Sequence, residues 1–355
     1  MSSLDHSLPI SWYVHPAHFE KERTAIFGQE WLFVTSCCRL AKPGDYVTLS
    51  IMGYEVMVIK QQDGSLKGFL NVCRHRGSIL LSGSGTCKGN CITCPYHAWT
   101  FNIDGTLRKA PKFDDIENFC KQDYSLYPVA LKVINGLIFI NLIHDRESMK
   151  ALDDSKFERL RNILEGYPMD QYEYHSTKTF EIACNWKTWI ENYQECYHCR
   201  TLHPLLNRNL NLEKYTLTNA DGISHHKCEL KSTDSNKAGD VELQAREPVW
   251  IFMYPNLALG LYETYYDTLE TIPLGPDKTK LVMNIYSKKD LPKEEIRQNI
   301  EAVSFQTYYE DIGACELVHK GLLARQDREN PVGPLHPERE SGVIYFDNLV
   351  RQSMS

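Results

Sequence analysis

Two cysteine–histidine pairs carry the first chemistry in this sequence: Cys73-Arg74-His75 and, after 18 intervening residues, Cys94-Pro95-Tyr96-His97. Two thiolates can hold one iron of a two-iron, two-sulfide cluster, and two neutral imidazoles the other. The thiolate-bound iron stays ferric. The imidazole-bound iron, with less negative charge around it, is the easier of the two to reduce. Ser82-Gly83-Ser84-Gly85 between the pairs allows the chain to turn tightly. Zinc is the competing occupant, although zinc knuckles usually take paired cysteines. Cys87, Cys91 and Cys94 would also make a Cys-rich site of their own. With the histidines included, Cys87 and Cys91 read as structural thiols.

A second constellation lies some hundred residues downstream, where His198 and His203 stand five apart before Pro204. At about 100° per residue, two such side chains on a regular helix point about 140° apart. They reach one metal only if the helix loosens, and Pro204 supplies a reason for it to end there. Two imidazoles need a third ligand. Two His and one carboxylate make the facial set of non-haem iron oxygenases, which leaves positions open for O2 and substrate. Spacing alone does not choose that carboxylate from the 46 acidic residues present. Without the upstream pattern, the two histidines would read as ordinary surface or core residues.

These residues need elements to position them. From Asp45 to about Asn141 short strands dominate, with Val47, Leu49 and Ile51 alternating with polar or small residues. Asp63-Gly64, Asp104-Gly105 and Asn135-Gly136 mark hairpin turns. The texture changes near Asp145. Met149, Leu152, Phe157, Leu160, Ile163 and Leu164 give helical spacing over Arg146–Glu165, and Gly166 stops it. Strands are expected at Thr179–Cys184, Val249–Met253, Ala258–Tyr262 and Leu281–Tyr286, and helices near Trp186–Leu202 and Lys293–Leu323. Without a regular βαβ alternation, this half reads as α+β. Ser232–Gly239 is polar and expected to be a mobile loop.

Composition narrows the function classes. With 355 residues, 42% hydrophobic and 24% charged, the chain has the profile of a globular protein large enough for two domains. A net charge of −7 argues against nucleic-acid binding. No apolar run is long enough to span a membrane, and the first residues do not form a secretory signal. Twelve cysteines in such a chain point to a reducing, cytoplasmic setting, where Cys–His clusters hold metals.

Taken together, the motifs resemble the α-subunits of Rieske non-haem iron oxygenases, the ring-hydroxylating type, over nearly the whole chain. The segments Asn71-Val72-Cys73-Arg74-His75-Arg76-Gly77, Ile92–Phe101, Glu195-Cys196-Tyr197-His198-Cys199 and Ser341–Phe346 are most similar to the branch acting on carnitine, choline and glycine betaine. The resemblance implies an α+β fold: an N-terminal all-β Rieske domain and a helix-grip catalytic domain, an antiparallel sheet with helices. The expected boundaries are 1–40 for a segment packing on the catalytic domain, 41–144 for the Rieske domain and 145–355 for the catalytic domain. It implies that Cys73, His75, Cys94 and His97 hold a [2Fe–2S] cluster. It makes Asp311, which opens the stretch Asp311–Leu322, the third ligand of a mononuclear Fe(II) beside His198 and His203, with Glu310 as the runner-up.

It further implies a head-to-tail homotrimer in which Glu195 bridges His198 and a cluster histidine, His97, of a neighbouring subunit. Most of the wider family has Asp at that position, and the carnitine-type branch has Glu. A carboxylate between two imidazoles orients both rings; the plainer reading of Glu195 is a solvated acid paired with Arg200. Cys196 and Cys199 are read as packing residues.

The chain has no GxGxxG fingerprint, so NAD(P)H electrons are expected through a separate flavin/iron–sulfur reductase. The leading expectation is a monooxygenase that hydroxylates, cleaves or demethylates a quaternary ammonium or betaine-like molecule. The alternative is a Rieske oxygenase of aromatic or other small substrates. An electron carrier would need only some hundred residues and no second metal set. A soft cation calls for ring faces, and Trp250, Phe252, Tyr254, Tyr262, Tyr265, Tyr266, Tyr308 and Tyr309 are available. Aromatics at alternating positions are also what strands contain, and Tyr193 and Tyr197, beside the ligands, are the preferred wall residues.

Overall fold

The computed structural model describes residues 4–143, 155–167, 169–231, 247–262, 264–290, 294, 300–327 and 332–355. They fall into two compact units, Phe27–Asp154 and Met1–Ile26 with Ser155–Ser355. No helix among the described residues is long and apolar enough to cross a membrane.

The first unit is all β. Its strands are β1 (Leu32–Ser36), β2 (Asp45–Ile51), β3 (Tyr54–Lys60), β4 (Leu66–Leu70), β5 (Ser84–Thr86), β6 (Cys91–Thr93), β7 (Thr100–Asn102), β8 (Leu107–Lys109), β9 (Pro128–Ile134) and β10 (Leu137–Asn141). Seven of them form one sheet in the order β1-β10-β9-β4-β3-β2-β5, and β6-β7-β8 form a smaller one. The alternation expected around Val47 is real: β2 buries every second residue. Asn135 and Gly136 both take positive φ, 47° and 81°, which is the tight hairpin geometry joining β9 to β10. Gly105, φ 92°, makes the corresponding turn between β7 and β8, and a Cβ there would lie 2.4 Å from Phe69.

The boundary expected at residue 41 lies earlier. β1 is buried along its whole length and pairs antiparallel with β10, so residues 27–40 belong to this unit. A strand covered on both faces shows no polar–apolar alternation, which is why periodicity passes over it. The expected change of domain at residues 144–145, and the helical spacing over Arg146–Asp154, lie outside the described residues. So does the loop expected at Ser232–Gly239.

The second unit begins with α1 (Ile10–Val14) and α2 (Pro16–Glu22), then continues from α3 (Ser155–Ile163). Its sheet is built from β11 (Tyr172–Ile182), β12 (Thr216–Ala220), β13 (Ile223–Lys227), β14 (Val249–Met253), β15 (Leu257–Leu261), β16 (Tyr265–Gly275) and β17 (Lys278–Lys288). All neighbours are antiparallel, in the order β11-β17-β16-β15-β14-β13-β12. Helices α4 (Trp186–Tyr193), α5 (Cys199–Leu202), α6 (Pro204–Asn209), α7 (Gln306–Leu323) and α8 (Ser341–Met354) complete it. The start of the helix expected over Lys293–Leu323 falls largely outside the described residues; α7 is its described part.

Helix α4 packs on β16, α7 and α8. Asn185 caps it, its side chain accepting a hydrogen bond from the Lys187 N–H. The α2 residue Glu22 reaches α4 as well: its carboxylate accepts from Trp186 Nε1 at 2.7 Å and pairs with the fully buried Lys187 ammonium.

Candidate metal centres

Both cysteine–histidine pairs lie at the tips of two similarly built fingers. In one, Cys73 N–H donates to Ser78 O at 2.8 Å and Gly77 N–H to Cys73 O at 3.0 Å. In the other, Cys94 N–H donates to Trp99 O at 2.8 Å and Ala98 N–H to Cys94 O at 3.1 Å. Gly77 and Ala98 both hold left-handed backbone, φ 73° and 58°, which turns each finger back on itself.

The rings of His75 and His97 stand 4.7 Å apart, and His75 stacks on Trp99 at 4.9 Å with planes 5° apart. His75 Nδ1 is buried and has no hydrogen-bond partner. Burial lowers the pKa of this imidazole, and His97 and Arg76 lower it further, so it is neutral, as a ligand must be. The Cys73 and Cys94 thiols are buried and face each other. Burial opposes their ionisation, while the N–H groups of His75 and Arg76 favour the Cys73 thiolate and those of Tyr96 and His97 the Cys94 thiolate. Two paired sulfurs and an orphaned buried imidazole nitrogen fit a metal cluster. Phe113, Phe119 and Tyr124 wall Trp99; nothing in their spacing marks them in the sequence. Cys87 and Cys91 stay free, and burial raises the Cys87 thiol to about 11.

The helix expected over Trp186–Leu202 is interrupted. α4 ends at Tyr193, the chain unwinds, α5 resumes at Cys199, and Pro204 opens α6. The break removes the 140° divergence of a regular helix: the Nε2 atoms of His198 and His203 come to 3.2 Å. From α7, Asp311 Oδ1 lies 3.0 Å from His203 Nε2 and 3.4 Å from His198 Nε2. One ligand atom from each of the three residues falls within 4.8 Å of the others. Glu310 is placed differently, with Oε2 at 2.8 Å from His203 Nδ1. Glu195 matches it on the other ring, with Oε1 2.5 Å from His198 Nδ1. Arg200 pairs instead with Glu213. Each imidazole therefore has an acid behind it and turns Nε2 to a common point.

Burial lowers the pKa of His198, but Asp311 and Glu195 outweigh it and raise it to about 10. The same contest raises His203, with Asp311 and Glu310 against burial. Burial pushes Asp311 up, and the two imidazoles hold it below the usual carboxylate value. Asp311 Oδ1 makes no conventional hydrogen bond. Two imidazoles and one carboxylate oriented in this way suit a divalent ion, which supplies the positive charge the carboxylates otherwise draw from protons.

Cys196 and Cys199 correct an expectation. They do not pack as separate thiols but form a disulfide around Tyr197-His198, with Cα atoms 4.9 Å apart. The unwound turn brings them within bridging range.

Beside the triad lies a cavity of about 90 Å³, lined by Tyr193, Trp250, Tyr262, Ser304, Tyr308 and Asp311, among others. A contiguous one of about 100 Å³ shares Tyr193, Trp250 and Asp311 and includes both histidines. Of the preferred wall residues, Tyr193 lines both, whereas Tyr197 is exposed. Phe252 and Tyr254 lie further along β14 and its extension and pack on Phe346 of α8. Tyr266 stacks on Tyr286, and Tyr309 is exposed. Tyr265 backs Tyr262 at 4.4 Å and hydrogen-bonds Ser304 Oγ at 3.1 Å. Trp250 Nε1 donates to Tyr262 Oη at 3.1 Å, which fixes two walls against each other.

The family model for the ring hydroxylating alpha subunit (catalytic domain) matches residues 169–355, and that for the Rieske [2Fe-2S] domain matches residues 30–120. The carnitine monooxygenase oxygenase subunit of Acinetobacter baumannii is 31% identical, over 98% of this chain and 94% of its own. The chloroplastic choline monooxygenase of Spinacia oleracea is 30% identical, over 98% and 78%. The quaternary ammonium Rieske monooxygenase CntA, solved in complex with L-carnitine, superposes with a TM-score of 0.82 at 28% identity, covering 99% of this chain and 96% of its own. Naphthalene 1,2-dioxygenase with indole bound, at 22% identity and a TM-score of 0.77 over 99% and 92%, shares the fold.

Proposed function

The chain belongs to the Rieske ring-hydroxylating oxygenases, and from that premise we propose that it is the oxygenase component of a two-component monooxygenase acting on a quaternary ammonium or betaine-like molecule. The observation that carries this reading is the convergence of His198 Nε2, His203 Nε2 and Asp311 Oδ1 beside a cavity walled by Tyr193, Trp250, Tyr262 and Tyr308. Relatives named for carnitine and choline support the substrate class.

In this reading His198, His203 and Asp311 hold Fe(II), and Cys73, His75, Cys94 and His97 hold the [2Fe–2S] cluster. When bound, the iron supplies O2 activation and the cluster supplies single electrons. The protein's own contribution is orientation. Glu195 accepts the Nδ1–H of His198 and leaves Nε2 free to ligate; Glu310 does the same for His203. The ring faces hold the ammonium head and keep water from the reacting carbon. Insertion of one atom of O2 into a C–H bond next to nitrogen, the other leaving as water with two electrons from the reductase and two protons, would give a carbinolamine. Its C–N bond breaks to release an amine, a carbonyl compound and a proton.

The finer assembly belongs to the same proposal. Three subunits stand head to tail, and Glu195 spans to His97 of the partner subunit. NAD(P)H electrons enter through a flavin/iron–sulfur reductase, in the cytoplasm. The domain limits follow as a Rieske unit from about residue 27 and a catalytic unit that comprises the first 26 residues and the chain from about residue 155.

A single turnover tests the reading without the reductase. The iron-loaded enzyme is reduced chemically and mixed with O2 and carnitine, choline, glycine betaine or an aromatic acid, and products are identified by mass spectrometry. We expect a hydroxylated or demethylated product, or the released amine, from a quaternary ammonium compound. Products from the aromatic acids alone would overturn the substrate class.

A further inference from the structure

Behind the aromatic walls lies a carboxyl group that the proposed chemistry does not use. Asp267, on β16, is fully buried; its carboxylate makes no hydrogen bond of good geometry, and the donors turned to it are the Gly260 N–H and the Tyr308 hydroxyl, with no cation among them. A buried carboxylate without a cationic partner is costly, so its place needs a reason. In the sheet, Trp250 pairs with Gly260, and Gly260 pairs with Asp267. Side chains at paired positions share a face. Gly260 therefore leaves a gap in a row that runs from Trp250 to Asp267. A Cβ at Gly260 would lie 2.8 Å from Asp267 Oδ2 and 2.9 Å from Tyr262 Cε2. The carboxylate thus leans across the glycine towards the aromatic wall.

Four tyrosines meet it there: Tyr193 from α4, Tyr262 just after β15, Tyr265 on β16 and Tyr308 from α7. Burial raises the hydroxyl pKa of each, and the Asp267 charge raises each further. Three of the four, Tyr193, Tyr262 and Tyr308, also line the cavity beside Asp311. Asp267 accordingly stands behind rings that line the cavity where a ligand head would sit. Burial also raises Asp267 itself to about 8, against the pull of the Gly260 N–H and the Tyr308 hydroxyl. Without a ligand it holds its proton at neutral pH.

We propose that Asp267 makes this pocket select a permanent cation: its carboxylate supplies the counter-charge to a quaternary ammonium head among Tyr193, Trp250, Tyr262 and Tyr308, and it releases its proton to solvent as the cation binds. The inference rests on the quaternary ammonium reading and adds the residue that enforces it. Ring faces alone attract a cation modestly. A formal negative charge in the same low-dielectric setting discriminates far more strongly against a neutral ligand of equal shape. Because the cation displaces a proton, affinity rises with pH by up to about tenfold per unit below the carboxyl pKa and levels off above it. The groups facing Asp267 are the four tyrosines, whose raised pKa values keep them neutral throughout. Asp311 lines the same cavity but is turned to its two histidines.

The experiment compares choline and glycine betaine with their carbon isosteres, in which a tert-butyl group replaces trimethylammonium. Binding to the iron- and cluster-loaded enzyme is followed by calorimetry across neutral and alkaline pH, for the native chain and for Asp267→Asn. We expect the native enzyme to prefer an amine over its isostere at least about tenfold, with a preference that grows with pH. In Asp267→Asn the pH dependence disappears and the preference shrinks to the modest one that ring faces alone provide, while isostere affinity is kept, which shows an intact pocket. A variant that retains both the preference and its pH slope overturns the role of Asp267 and leaves the substrate class standing. A native enzyme without any preference for the amines overturns the substrate class itself. Should Asp267→Asn not fold, calorimetry of the native enzyme in buffers of different ionisation enthalpy decides. Close to one proton released per amine bound at neutral pH supports the proposal, and none released overturns it.

Discussion

Glu195 Oε1 lies 2.5 Å from Nδ1 of His198, and the same carboxylate accepts from the His198 backbone N–H at 3.2 Å. The acid is therefore locked by its own turn as well as by the ring, and it sets the tautomer that frees Nε2. We predict that Glu195→Ala retains most of its iron and all of its cluster, since neither loses a ligand, but loses about 10–100-fold or more in turnover. Metal analysis, the visible spectrum of the cluster and single-turnover yield on one preparation check it. A variant with native turnover would reduce Glu195 to a local stabiliser of the turn.

Asp311 and Glu310 are neighbours with different work. Asp311 Oδ1 faces both Nε2 atoms, whereas Glu310 sits behind His203 at Nδ1. Asp311→Ala should empty the mononuclear site, because two imidazoles alone bind weakly. Glu310→Ala should still load iron, with affinity lower by about 10–100-fold. Iron content after dialysis against a graded chelator separates the two. Equal losses would mean that the two acids share the ligand role.

How much of this was legible beforehand follows from physical range. Cys73, His75, Cys94 and His97 could be read because each ligand pair sits within one finger, where sequence spacing sets geometry. His198 and His203 were legible as a pair, but the break between α4 and α5 was not: it depends on a turn held by Glu195 and a Cys196–Cys199 disulfide that spacing does not announce. Asp311 came from resemblance, since a carboxylate more than a hundred residues away leaves no local signature. β1 was missed because a strand buried on both faces has no period of two. Asp267 was invisible for a related reason. Its neighbours Tyr193 and Tyr308 are set against it by packing between helix and sheet, and only Gly260, directly across the ladder, hints that something needs the space.

Glu22 and Lys187 form an ion pair with no solvent exposure on either side chain. Trp186 Nε1 adds a hydrogen bond to the carboxylate at 2.7 Å, and the Lys187 ammonium lies 5.6 Å from the Tyr13 ring centre. Removing one partner leaves an unpaired buried charge, so Glu22→Ala is expected to cost about 3–5 kcal/mol. Replacing both, as Glu22→Leu with Lys187→Met, should recover much of that loss, because the desolvation penalty goes with the charges. Denaturant midpoints of the single and double variants test this. If the double variant is no better than the single, the pair matters through its shape rather than its charge.

The last prediction concerns pH and begins at Asp347 of α8, fully buried and close to Glu191 of α4. Burial raises Asp347 from 3.8 to about 7, against the pull of Arg351, Glu191 and Lys187. Burial likewise raises Glu191 well above its ordinary value, and Asp347 adds to that, while the Tyr13 hydroxyl donates to Glu191 Oε1 at 2.5 Å. The two carboxyls titrate as a pair. For the Asp347 contribution, the unfolded chain gives up its proton near 3.8 while the native state keeps it to about 7. Within that window the native state binds more protons, so stability falls as pH rises, by at most about 1.4 kcal/mol per pH unit for this group. Below the window both states are protonated and the penalty is absent. Asp347→Asn cannot ionise and should remove this part of the slope. Its denaturation midpoint should match the native chain at low pH and exceed it at neutral pH. Urea midpoints of the two proteins across the window measure the difference, and a variant that is less stable at neutral pH would show that the ionised Asp347, held by Arg351, stabilises the native fold instead.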